Sequence, residues 1–437
     1  MPQTDDPAKI SATSVTAPNP PSSDAVALLA HRLAAIDAAD VPAEIAALRL
    51  GDTVAALLAG RQTDDGRRAA RIAGERVATP RQPAAFAATI RHTEIDDIHL
   101  ATCVTTSAVV IPAALAVASS TAIDGPTLRR GLAAGYSAAI RFGTAVGGAR
   151  VLREGTWPTL AVAPVTAAAV AGVMLGLDAE ALANALRIAS LRSFSRIGRT
   201  AERSARWYLF GAAVASGIEA AGAAAGGLRI DGVVPLPNAL DAELADRPIG
   251  DGEIGTLSQK PICTSRQALS GVFAFLALMD QERFDPARVA HVRVEVPRDY
   301  AWMIDVPVRS GERLSTAISQ SFLIAAAALD RPVLYDVTRS GPFADTLIDF
   351  AQRVEVAATD AFDGQYPRVW PARVTIRLDD GRERALTLEH PPGDPDRPLT
   401  FADLQAKSPS YTAALHDLCR RAVDEGPSAL LAALDAP

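Results

Sequence analysis

Several things are scarce in this 437-residue chain, and each scarcity argues against a class of function. It has only three cysteines, Cys103, Cys263 and Cys419, far apart and without a spacing pattern. Neither a disulfide framework nor a zinc site follows from them, and reduced thiols in the cytoplasm are the expectation. Positive charge is not in excess: 43 Lys and Arg stand against 50 Asp and Glu, a net charge of −7, which offers no positive field to nucleic acid. No run of about 18 strongly hydrophobic residues continues without Gly, Pro or charge, so no membrane span is expected and the protein reads as soluble. Aromatics make up 5% of the residues. One of them, Trp157 in Gly155-Thr156-Trp157-Pro158-Thr159, interrupts a chain dominated by alanine and valine.

What is abundant is helical texture. Residues 1–22 hold Pro, Ser, Thr and two early acids but no apolar run, and read as a disordered lead-in. From Ser23 the stretch SSDAVALLAHRLAAI offers Ser and Asp caps and puts Val26, Leu29, Leu33 and Ile36 on one stripe. The next, VPAEIAALRLGDTVAALLAG, has Pro42 in its first turn and Gly60 as its expected stop. Further helical segments follow, rich enough in Ala and Gly to predict close helix approach. Past residue 265 the pattern changes: HVRVEVP, RVEVAA and ARVTIRLDDGRERALTLEH alternate as strands, the last with a DDG turn, while LSTAISQSFLIAAAAL reads as one helix. The fold class expected is therefore mainly α. A large all-helical domain spans 23–265 plus 396–437, and an α+β lid is inserted at 266–395.

Ordered pieces along the chain carry a resemblance: EIDDIH followed by VIPAALA, then GYSAAIRFG, GTWPT, the helix around Gly211-Ala212-Ala213, Lys260-Pro261 with Cys263, and PPGDPDRPLTFADLQAK. Together they resemble the MmgE/PrpD family, which includes 2-methylcitrate dehydratase, cis-aconitate decarboxylase and iminodisuccinate epimerase. The resemblance implies a helical domain with a late α+β lid, a homodimer, and chemistry without metal or organic cofactor. It implies a small-molecule substrate bound in a cleft, where a proton next to a carboxylate is removed or moved. Nucleic acid and membrane partners are not expected.

The family's polar residues carry over unevenly. Thr105-Thr106-Ser107 stands where the resemblance places His-Pro-Ser, and Trp157 stands where it places a second histidine. Arg206 replaces a lysine, Lys260 is retained, and Phe322 replaces a tyrosine. The expected catalytic group is then Asp97, Lys260 and Arg206, with Arg206 as an anion clamp. Trp157, Thr105, Phe322, Tyr208 and His99 are expected against substrate, Tyr208 as a stand-in proton donor and His99 beside Asp97. Cys103 is expected to be inert, the other five histidines to be surface or packing groups, and Arg192, Arg196, Arg199 and Arg203 to be a solvated face.

These replacements make the pocket less titratable and more aromatic, which favours a bulkier, more apolar substrate. A diverged lyase, isomerase or dehydratase acting next to a carbonyl or carboxylate is the first expectation. A cyclase, with a pericyclic reaction as one form, working by orientation in a water-poor aromatic pocket is the second. A non-catalytic binding or partner subunit is the third.

Overall fold

The computed structural model describes residues 24–193, 205–230, 240–249 and 251–435. The expected lead-in and Arg196, Arg199 and Arg203 lie outside them. The first helix, Ala25–Ala34, is capped by Asp24, whose carboxylate accepts from the Val26 and Ala27 amides at 3.2 Å. The predicted stripe of Val26, Leu29, Leu33 and Ile36 is buried. The Ala43–Arg61 helix starts after Pro42 and ends one residue past Gly60. A Cβ at Gly60 would lie 2.1 Å from the Thr89 carbonyl oxygen, so this glycine also serves close packing against the Pro83–Arg91 helix.

Around Pro158–Met174, buried at every position, pack Ser107–Ser120, Gly125–Ala145, Ala179–Ser190 and Ala205–Ala225. A helix apolar on all sides can only be a core element. Its last neighbour, Ala205–Ala225, is the one described helix long and apolar enough to cross a membrane by length and composition; here it is held between other helices. Gly211 rests on the Ala84 carbonyl of Pro83–Arg91, and Gly217 rests on the Pro164 carbonyl of Pro158–Met174, where a Cβ would approach to 1.9 and 2.1 Å. The closing helices Phe401–Lys407 and Ala413–Asp424 return onto Ala43–Arg61.

A second hydrophobic cluster gathers around a four-stranded sheet. Its order is Val354–Thr359, Val289–Pro297, Ala372–Leu378, Glu383–Leu388, the first pair parallel and the others antiparallel. The DDG turn closes the last hairpin, with Gly381 at φ 84°, a left-handed conformation that suits glycine. Arg266–Glu282 packs on the last two strands and Gln320–Leu329 packs on it. LSTAISQSFLIAAAAL is two helices, not one: Arg313–Ile318 ends at Ser319, which is extended (ψ 106°) and whose hydroxyl caps Gln320–Leu329 by accepting from the Phe322 amide. A serine that competes with the backbone in this way divides an otherwise continuous pattern.

The glycine contacts make a testable contrast within one helix. Gly211→Ala is expected to destabilise the fold by about 1–3 kcal/mol through overpacking. Gly222→Ala, where an added Cβ meets nothing within 4 Å, is expected to be neutral or to stabilise by up to about 1 kcal/mol. Denaturant unfolding of the two variants measures the difference.

Candidate functional site

The site is assembled by a two-residue ladder. Ile98–His99 pairs antiparallel with Leu257–Ser258, Ile98 opposite Ser258, which draws the acidic stretch after Arg91 toward Lys260. Behind the second strand lies the PPGDPDRP segment. Asp394 takes both its oxygens to Arg266 at 2.8 Å and accepts from Ser258 Oγ, while the Gln259 amide donates to the Gly393 carbonyl at 2.7 Å. Gly393, at φ 97°, leaves 2.3 Å between a would-be Cβ and the Gln259 carbonyl. This segment therefore acts as a buttress for the strand that presents Lys260, and Arg266 is electrically matched by Asp394.

In front is a cleft of about 80 Å³ walled by Arg91, Glu94, Thr105, Trp157, Arg206 and Lys260, with Met303, Leu314 and Ile318 closing it from the side of the sheet-containing half. The Lys260 ammonium donates to Glu94 Oε2 (3.5 Å) and Asp96 Oδ1 (3.3 Å). Arg91 Nη1 lies 3.1 Å from Glu94 Oε1 and 3.2 Å from Asp96 Oδ1. Burial alone would raise the Glu94 pKa, but Arg91, Lys260 and Arg206 outweigh it and hold this carboxyl well below the usual range, ionised.

Two indoles complete the wall. Trp157 and Trp207 meet edge to face, centroids 5.8 Å apart at 85°. The Arg206 guanidinium carbon lies 4.3 Å from the centre of Trp157 and 5.2 Å from that of Trp207; for Arg91 the distances are 5.5 and 5.2 Å. Both cations thus share the same pair of rings. Thr105 and the GTWPT segment are joined by Thr159, whose hydroxyl accepts from the Thr105 amide (3.1 Å) and hydroxyl (3.2 Å).

Four expected residues, Lys260, Arg206, Trp157 and Thr105, come together here; four do not. Asp97 is fully buried away from the cleft wall, where it accepts from the amide and hydroxyl of Ser107 and so holds the start of Ser107–Ser120; the Ser107 hydroxyl also pairs with Tyr136 Oη at 2.7 Å. Burial pushes its pKa up to about 6, with Arg49 acting against that and Asp52 adding to it. His99 shares a hydrogen bond with Thr102 Oγ1 at 2.8 Å, and burial lowers its pKa to about 4, so it is neutral. Tyr208, 42% exposed, faces a separate groove with Asp65, Arg68 and Ile72. Phe322 is fully buried in the second cluster, its ring 4.7 Å from Phe343.

Arg91 and the roles of Glu94 and Asp96 as its partners went unread in the sequence, although an arginine ending the apolar run AFAATIR was a signal of a paired, buried cation. None of the six histidines is among the residues walling the cleft; His92, for instance, is buried against Thr63 Oγ1 at 2.6 Å. Arg192 pairs with Glu219 at the surface. Among the described residues no group of three or more His, Cys, Asp and Glu is placed to hold a metal.

Asp97 makes a pH prediction with a definite sign. A carboxyl whose folded pKa is raised stabilises the fold fully below its unfolded value near 3.8, and that contribution is lost as pH rises through about 6. Asp97→Asn keeps an acceptor for Ser107 but carries no such loss. Melting temperatures between about pH 4 and 7 are expected to move in favour of the variant as pH rises; a constant difference from wild type would contradict the assignment.

Comparison with known proteins adds two matches. The MmgE/PrpD N-terminal domain matches residues 25–230, and the MmgE/PrpD C-terminal domain matches residues 263–425. No curated protein matched the chain.

Proposed function

Since this chain belongs to the MmgE/PrpD family, whose members are typically dehydratases and lyases, we propose that its cleft binds a small carboxylate-bearing molecule and assists a lyase-type step with cations rather than with an imidazole base. The observation that carries this reading is the convergence of three cationic side chains, Arg91, Arg206 and Lys260, on one buried cleft that also holds Glu94. Fixed donors in such a buried site attract an entering anion more strongly than they would in water.

The chemistry follows from what each group can do. Charge that builds on a substrate carboxylate or enolate is stabilised by donors already fixed in place, the work suited to Arg206 and Arg91. The Lys260 ammonium, in the same wall, can protonate a developing carbanion or enolate. Glu94, held ionised by three cations, is a weak base, so decarboxylation, in which the broken C–C bond leaves its electron pair on the substrate as a carbanion or enolate for Lys260 to protonate, suits the site better than abstraction of an unactivated proton. Thr105 offers a hydroxyl to orient the ligand.

A bulky, apolar occupant fits less well than the aromatic replacements alone suggest. Guanidinium groups lie over the rings of Trp157 and Trp207, and an apolar ligand would make no use of the charged groups of Glu94, Arg206 and Lys260 that wall the cleft. The same point weighs against the cyclase, which needs bare aromatic walls.

The test is binding and turnover of a carboxylate panel, including 2-methylcitrate and cis-aconitate, by the full chain in deuterated buffer. Turnover with solvent deuterium in the product is expected. Arg206→Gln and Lys260→Met are each expected to lower kcat/KM by about 10²–10³-fold, the usual effect of deleting one preorganised donor. Failure of the unmodified protein to bind any carboxylate calorimetrically at millimolar concentration would overturn the reading.

A further inference from the structure

We propose that Trp157 is a positioning residue: its indole, together with Trp207, orients the Arg206 and Arg91 guanidinium groups so that they act as one two-pronged anion clamp. The inference rests on the carboxylate-binding reading of the same cleft and assigns the residue that makes its cations usable.

Two like charges beside each other repel, and a long arginine side chain loses rotamer freedom when held. Something must supply the compensation. Glu94 supplies part of it for both cations, and Asp96 for Arg91, which they meet at 3.1 and 3.2 Å. For Arg206 the closest aromatic partner is Trp157, with the guanidinium carbon 4.3 Å from the ring centre, inside the range where the ring quadrupole attracts a cation. Trp157 is itself only 6% exposed and is braced by Trp207 at 5.8 Å and by Phe210 at 5.8 Å. Its backbone is fixed as the residue before Pro158, at the start of the buried Pro158–Met174 helix. The ring is therefore a rigid platform with one face turned to Arg206. Because Arg91 lies within 5.5 Å of the same ring, moving the indole disturbs both prongs at once.

This arrangement gives the tryptophan a role that neither a core plug nor a bare apolar wall has. A core plug would affect stability without affecting anion affinity. An apolar wall would affect affinity for apolar ligands and leave small anions alone.

The experiment measures calorimetric affinity of the full-length protein for succinate and citrate, with melting temperature recorded for every variant. Trp157→Phe, which keeps an aromatic face, is expected to stay within about 3-fold of wild type, and Trp157→Leu to lose on the order of 10-fold or more. Site-specific replacement of Trp157 by trifluorotryptophan keeps the shape while draining the ring's negative face. It is expected to weaken binding on the order of 3- to 30-fold with little change in melting temperature, and it serves if the leucine variant does not fold. If Arg206→Gln abolishes binding but trifluorotryptophan at 157 leaves affinity unchanged, the positioning role is overturned and the carboxylate reading stands. If wild type binds neither anion, both fall together.

Discussion

The close approach of the Ala205–Ala225 helix to its two neighbours is the constraint on which the site depends. Gly211 lies on a carbonyl of Pro83–Arg91 and Gly217 on a carbonyl of Pro158–Met174, with no room at either for a single methyl group. Gly211 meets Ala84 while Trp207 meets Arg91, so Pro83–Arg91 and Ala205–Ala225 run in opposite directions, with the end of one at the start of the other. Each of the three helices brings one part of the aromatic and cationic wall: Arg91 from the first, Trp157 from the start of the second, Arg206 and Trp207 from the third. Separation of the helices by the width of a side chain would place the guanidinium groups out of reach of the rings. The alanine and glycine content of the chain thus has a functional consequence, since it sets the distance between charges.

The electrostatics have the same economy of parts. Of the three lysines in the chain, Lys9, Lys260 and Lys407, the two in the described residues are both buried in ion pairs, one in the cleft and one with Asp52 in the helical core. Buried pairs of this kind contribute little net stability but are strongly destabilising when halved, which makes them good devices for specifying geometry. The Asp394–Arg266 pair holds the strand behind Lys260, and the Asp97–Ser107 pair holds the helix that follows Thr105. Neither carboxylate touches the cleft, yet each fixes a segment that does. Asp97 was the acid that its motif made prominent, and its actual neighbour Glu94 is the one exposed to the site.

Local pattern made much of the architecture legible. The cap at Asp24, the stripe from Val26 to Ile36, the strands of the sheet and the DDG hairpin all follow from short-range rules of period and turn chemistry. A misreading arose where a side chain competed with those rules: Ser319 breaks a helical run because its hydroxyl accepts from the Phe322 amide three residues on. In the site, Lys260, Arg206, Trp157 and Thr105 were legible from the ordered motifs. Phe322 and Tyr208 were not, because one residue of helical rotation decides whether a side chain faces a cleft, a core or solvent.

By itself the sequence determined the family and the mainly helical class, since each is a matter of residue identity, order and period. Only the tertiary structure decided that Trp157 carries a cation on its face. That depends on the angle and separation of two helices remote in sequence, a quantity set by glycine-to-carbonyl contacts and invisible to any local pattern.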